Sequence, residues 1–190
     1  ISVETSYSDG ENSSYRLMSN GFEGESKSTW YSVSASVAIK GEGEARPSDY
    51  WYGSSLFYDK LPKTDIGSVA LERVLRKLGQ KKAKSGKYTM VVDPINSGRM
   101  LSPVLSALYG SSLQQKNSFL IDKLDQKVFS DKLTVMDDPH VIGANGSRYF
   151  DNEGVATEHR PIFENGVLKT YFFDTYNAKK MGVAPTISGP

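Results

Sequence analysis

His140 and His159 are the only imidazoles in these 190 residues, and there is no cysteine. Catalytic zinc sites use three protein ligands, often with two histidines close together on one helix. Here the two lie 19 positions apart. One follows Asp138-Pro139 in a polar loop and the other falls in an expected strand, so surface or hydrogen-bonding roles explain them better than ligation. The missing cysteines also exclude thiolate zinc sites, cysteine nucleophiles and disulfides. Asp137, Asp138, Asp151 and Glu153 could in principle pair for acid–base work or hold a cation. Asp151-Asn152-Glu153-Gly154, however, lacks the alternating ligands and closing glutamate of a calcium loop, and turn formation by Asp and Asn explains it. No Gly-x-Ser-x-Gly element is present, and neither histidine has a nucleophile partner, so a serine triad has no support. Gly10, Gly21, Gly24, Gly41 and Gly43 do not assemble a phosphate loop. Tyr50-Trp51-Tyr52 could stack on bases or extended peptides, with cross-strand packing as the plainer reading.

The elements that would position these residues change character along the chain. Tyr31, Val33, Ala35, Val37 and Ile39 alternate with Ser32, Ser34, Ser36 and Ala38, the period of a half-buried strand with one solvated face. Lys40-Gly41-Glu42-Gly43 is a turn, and Tyr50–Tyr52 belongs to the hairpin partner. Ser8-Asp9-Gly10-Glu11-Asn12 reads as a second turn, joining strands 1–7 and 14–18. After Pro62 the spacing becomes helical: Ile66, Val69, Ala70, Val74, Leu75 and Leu78 form one stripe, with Thr64 or Asp65 as N-cap and Gly79 as C-cap. Residues 80–86 are basic and aperiodic, which places a domain boundary there.

Beyond the boundary, Tyr88–Val92 reads as a short buried strand ended by Asp93-Pro94. Met100, Leu101, Val104, Leu105 and Leu108 recur at helical spacing, which requires Pro103 to fall in the first turn. Phe119, Leu120, Leu124 and Val128 suggest a shorter helix, and Leu133–Met136 a strand. Asn165-Gly166 between Ile162-Phe163 and Val167-Leu168 marks a type I′ hairpin. Asp174–Met181 is an expected helix ended by Gly182. The fold class is α+β: an antiparallel sheet with a packed helix over residues 1–84, then a mixed, strand-rich α/β unit over 85–190.

Twenty-three basic residues against 22 acidic ones leave a net charge of +1, with no global pull toward nucleic acid. Lys77, Lys81, Lys82, Lys84 and Lys87 form the one basic cluster, read as a solvated helix end and linker rather than a phosphate patch. No apolar run approaches the roughly 20 residues that span a bilayer. The first residues do not read as a signal peptide. A first residue other than Met implies a longer native protein, and the absence of cysteine fits a cytoplasmic location.

Three stretches resemble the TldD/PmbA family, once described as modulators of DNA gyrase. They are Asp49–Tyr52; Ser118–Phe129 followed by Val135–Pro139; and Phe150–Thr157 running into Ile162–Leu168 and Asp174–Lys180. The resemblance is to the PmbA (TldE) side and covers essentially the whole chain. It implies a protein more than twice this length, with 1–84 as its middle domain and 85–190 as the first part of its C-terminal domain.

The resemblance also implies a heterodimeric zinc metalloprotease acting on unfolded peptides, in which a TldD-like subunit carries a His-Glu-x-x-x-His helix. The matching positions here are Leu101, Ser102 and Ser106, none of them suited to ligate zinc or activate its water. The expectation is a chain with no catalytic residue and no metal of its own, zinc residing in a TldD-like partner. That partner would complete a heterodimer, with a homodimer as the other possibility, and extended peptides would meet Tyr50, Trp51 and Tyr52. Rival readings are a DNA-gyrase or nucleic-acid-interacting module, and a peptidase whose active-site residues lie outside this segment.

Overall fold

A computed structural model describes residues 1–187. It divides into two compact units, Ile1–Lys87 and Tyr88–Pro190, each combining antiparallel strands with helices in an α+β arrangement.

In the first unit, β1 (Ser2–Leu17), β2 (Glu23–Ala38) and β3 (Ser48–Ser55) form an antiparallel meander in the order β1-β2-β3. The expected turn at Ser8–Asn12 does not form, because β1 runs straight through it in unbroken register with β2. Gly10 faces Trp30 across the ladder, and a Cβ at Gly10 would lie 2.5 Å from the indole Nε1. The glycine therefore serves a close approach within a strand rather than a reversal. The actual reversal follows Leu17, where Gly21 has φ 89°.

Alternation in β2 sends Ala35, Val37 and Ile39 into the core and leaves Ser36 exposed. Helix α1 (Ile66–Leu75) covers them with Ile66, Ala70 and Val74. Asp65 stands at the N-cap, but in a left-handed conformation and without a side-chain cap bond. Leu75 and Leu78 leave the expected stripe and are exposed: Leu75 lies about 100° around the helix from buried Val74, and the helix ends before Leu78. α1 lies on β2 and β3, and Val3 and Tyr7 of β1 remain exposed.

In the second unit, α2 (Pro94–Ser106) and α3 (Gly110–Gln114) precede a sheet of β4 (Val135–Asp137), β5 (Arg160–Glu164) and β6 (Val167–Leu168), with α4 (Thr175–Met181) last. Leu108, Leu120, Ile162, Phe163, Leu168 and Phe172 make its core. The β5–β6 turn has the expected positive φ at Asn165 (49°) and Gly166 (78°). α4 is capped by the Asp174 carboxylate, which accepts from Asn177 N at 2.6 Å, and ends at Gly182 with φ 68°.

Four expectations are overturned in this unit. Tyr88–Val92 is neither strand nor buried, with Val91 92 % exposed. No described strand pairs with it, and a strand without a neighbouring strand has no ladder to hold it in place. Asp93-Pro94 opens α2 instead of merely ending a strand: the Asp93 carboxylate accepts from Ile95 N at 3.0 Å and Pro94 takes the first turn. Pro103 therefore lies inside the helix, where it costs one backbone hydrogen bond. The helix expected over Phe119–Val128 is a run of turns, because Asp122 and Asp125 adopt left-handed φ of 56° and 59°.

Candidate functional site

In the first unit, the period of two separates the three aromatics singled out in the sequence. Tyr50 and Tyr52 point to the face away from α1, stacked with centroids 6.3 Å apart and planes at 21°. Trp51 faces the helix, half-buried beside the core, with the Arg73 guanidinium 5.1 Å over its ring. Only the two tyrosines can then form one platform, and the alternation itself carried that signal. Beside Tyr50 lies a shallow trough of about 340 Å³ lined by Glu4, Thr5, Ser6, Ser34, Ala35 and Ser36. Ser6 and Ser34 share a hydroxyl hydrogen bond of 2.7 Å across the ladder. A face of hydroxyls, stacked phenols and the Glu4 carboxylate offers hydrogen bonds and flat apolar surface to an extended chain.

Asp49 anchors the hairpin that presents this platform. Its carboxylate accepts from Tyr50 N at 2.8 Å and pairs with Lys77 at 3.2 Å and Arg73 at 3.4 Å. Burial pushes its pKa up, but the Tyr50 hydrogen bond and the two cations outweigh that and hold it below the ordinary aspartate value.

In the second unit, Leu101 is half-buried on α2, while Ser102 and Ser106 are exposed. Positions 101 and 106 lie about 140° apart around a helix of 3.6 residues per turn. Among the described residues, no group of three or more His, Asp or Glu side chains is arranged to hold a metal ion. The donor set required for zinc does not fit this helix: an alkyl group and two neutral hydroxyls stand where imidazoles and a carboxylate would be needed.

The two histidines meet different partners, and among the described residues neither belongs to a metal cluster. His159 Nε2 lies 4.0 Å from Asp138 Oδ2, and His140 N donates to Asp138 Oδ1 at 3.4 Å. His140 Nε2 is 3.2 Å from the Thr157 hydroxyl, which in turn donates to the Arg148 carbonyl. His159 sits just before β5 rather than within it. Of the carboxylates that looked chemical, Asp151 and Glu153 are taken up by backbone amides. Asp151 Oδ1 accepts from Glu153 N and Val155 N at 2.8 and 2.9 Å, and Glu153 accepts from Thr175 N at 2.8 Å, at the start of α4. Asp137 pairs with Arg148 at 3.3 Å.

Family profiles match both units. Residues 1–78 match the PmbA/TldA metallopeptidase central domain, and residues 85–190 its C-terminal domain. The chain belongs to the PmbA/TldD metallopeptidase family. Family members are similar along most of it. A Metalloprotease PmbA homolog of Haemophilus influenzae is 35 % identical over 161 residues, 84 % of this chain and 35 % of that protein. A Metalloprotease TldD homolog of Buchnera aphidicola is 31 % identical over 121 residues, 63 % of this chain and 25 % of that protein. A crystal structure from Bacteroides thetaiotaomicron, described as a proposed modulator of DNA gyrase, shares 70 % identity with a TM-score of 0.96, covering all of this chain and 43 % of its own. TldE from Thermococcus kodakarensis, at 21 % identity and a TM-score of 0.70, shares the fold, covering 98 % of this chain and 41 % of its own. The chain thus spans about a third of the length of the curated PmbA relatives. Among the described residues, no helix is long and apolar enough to cross a membrane.

Proposed function

We propose that this PmbA/TldD-family chain is the non-metal-binding side of a TldD/TldE-type zinc metalloprotease, working in the cytoplasm beside a TldD-like catalytic subunit. The observation that carries this reading is the identity of the α2 positions. Leu101, Ser102 and Ser106 cannot bind zinc or polarise its water, whereas peptide hydrolysis by a metallopeptidase needs a metal-activated water. The contribution of this chain is to hold extended, unfolded peptide through hydroxyl and aromatic contacts on the Tyr50–Tyr52 face. Pairing with a second copy of itself is the alternative assembly.

The test is a fluorogenic-peptide assay on the full-length protein, on a TldD-like chain and on their mixture, each with and without a chelator. The expected result is chelator-sensitive cleavage by the mixture and none by this protein alone. Chelator-sensitive cleavage by this protein alone, at the rate of the mixture, would overturn the reading and favour a peptidase whose active-site residues lie outside this segment. The description of the Bacteroides relative as a gyrase modulator favours a second reading, a nucleic-acid or gyrase-interacting module. The near-neutral charge counts against it. That reading requires DNA affinity that falls steeply with salt.

A further inference from the structure

β2 is twice as long as β3, and the unmatched half of it projects as a two-stranded arm. All sixteen residues of β1 pair with β2, but β3 pairs only with Tyr31–Ala38. Gly10–Leu17 and Glu23–Trp30 therefore form a ribbon of eight residue pairs, about 27 Å long at 3.4 Å per residue. A two-stranded ribbon in water is marginal by itself. This one nevertheless carries large apolar groups at its end: Leu17 is 70 % exposed and Tyr15 62 %. Cross-strand register puts Tyr15 and Leu17 on one face of the ribbon, together with Glu11, Glu23, Glu25 and Lys27. The Tyr15 hydroxyl donates to Glu23, and Lys27 pairs with Glu25 at 2.8 Å. Asp9 extends the same face at the base of the arm, which makes four carboxylates against one lysine.

We propose that this arm is a docking element for a second protein of different sequence, whose receiving face has an apolar slot for Tyr15 and Leu17 rimmed by lysine or arginine. Charge selects the occupant. Two copies of this chain joined by the same face would set four carboxylates against four, which is repulsive across an interface. A cation-lined slot would instead complement Asp9, Glu11, Glu23 and Glu25. Naming that second protein as the TldD-like subunit rests on the proposed function above; the arm, its apolar tip and its charge do not. The tip residues supply the buried anchor that interfaces concentrate their energy in, and the carboxylates supply steering and register.

The experiment measures binding of the full-length protein to a TldD-like chain by analytical ultracentrifugation and calorimetry at two salt concentrations. The variants are Tyr15→Ser/Leu17→Ser and, separately, Glu11→Lys/Glu25→Lys. Melting curves serve as the control, because the core of Ala35, Val37, Ala70 and Val74 lies away from the arm. Each variant is expected to weaken Kd at least tenfold while melting with the wild type, and wild-type affinity is expected to fall as salt rises. Binding of both variants within twofold of wild type overturns the arm proposal and leaves the subunit reading intact. Loss of self-association instead identifies a second copy as the occupant and overturns the choice of partner. Side chains of Tyr15 and Leu17 shielded from hydroxyl-radical labelling as strongly in the lone full-length protein as in the mixture would show the arm covered by its own polypeptide, again overturning it. A wild-type protein that binds no TldD-like chain removes both the subunit reading and the partner named here.

Discussion

Asp49 Oδ2 lies 3.2 Å from Lys77 Nζ, fastening the start of β3 to the chain just beyond the end of α1. Arg73, one helical turn earlier, reaches the other carboxylate oxygen at 3.4 Å while lying over the Trp51 ring. Lys77 also donates to the Ser48 carbonyl at 2.6 Å. One carboxylate thus links the hairpin that displays Tyr50 and Tyr52 to the helix behind it.

Its titration gives the first prediction. The folded-state pKa is held below the ordinary aspartate value, so the unfolded chain takes up the proton more readily. The stabilisation is then complete above the ordinary value and is lost as pH falls through the folded one. Asp49→Asn should cost about 1.5–3 kcal/mol at pH 7, the scale of a hydrogen bond to a charged group. Urea unfolding should show that gap closing as the pH is lowered past the aspartate range. A gap that is unchanged at low pH would contradict the assignment.

The β5–β6 turn supplies a second. A Cβ at Gly166 would lie 2.3 Å from the Phe129 carbonyl oxygen, and the residue has φ 78°. Gly166→Ala must distort both the turn and the segment behind it, so it should destabilise by more than about 1 kcal/mol. Asn165→Gly, which suits the same left-handed conformation, should cost much less. Chemical denaturation of the two variants side by side checks the ordering.

Packing in the first unit gives a third. Val74 is fully buried where α1 meets β2, and truncation to alanine removes two methyl groups without room to collapse. A loss of about 2 kcal/mol is expected for Val74→Ala. Leu75→Ala, one position along and 48 % exposed, should change stability by less than half of that. Equal losses would mean that the helix face is misassigned.

The last prediction concerns α2. The variant Leu101→His/Ser102→Glu/Ser106→His should remain without stoichiometric zinc by elemental analysis after dialysis. A third protein ligand would still be needed, as would the neighbours that orient metal-bound imidazoles. One tightly held zinc per chain would refute this.

Much of the fold was legible because it is local. The alternation from Tyr31 to Ile39, the helical stripe of Ile66, Ala70 and Val74, the Asn165-Gly166 reversal and the Asp174 cap each depend on residues within a few positions of one another. Backbone sterics and side-chain direction settle such features before any distant contact forms. The shared face of Tyr50 and Tyr52 was equally readable from the same period of two, with Trp51 necessarily opposite. Leu101, Ser102 and Ser106 are likewise a matter of sequence alone, since no packing turns a leucine and two serines into zinc ligands.

Tertiary structure decided what depended on a distant partner. Gly10 looks like a turn residue until Trp30, twenty positions on, is found lying over it. Tyr88–Val92 has the composition of a strand, yet composition does not provide a neighbour to pair with, so it stays exposed among the described residues. The His159 imidazole comes within 4.0 Å of Asp138 only because the chain folds back at β5. The length of the arm was fixed by where β3 stops pairing with β2. In each case the deciding energy came from a contact between segments far apart in sequence, which a pattern read over a short window does not contain.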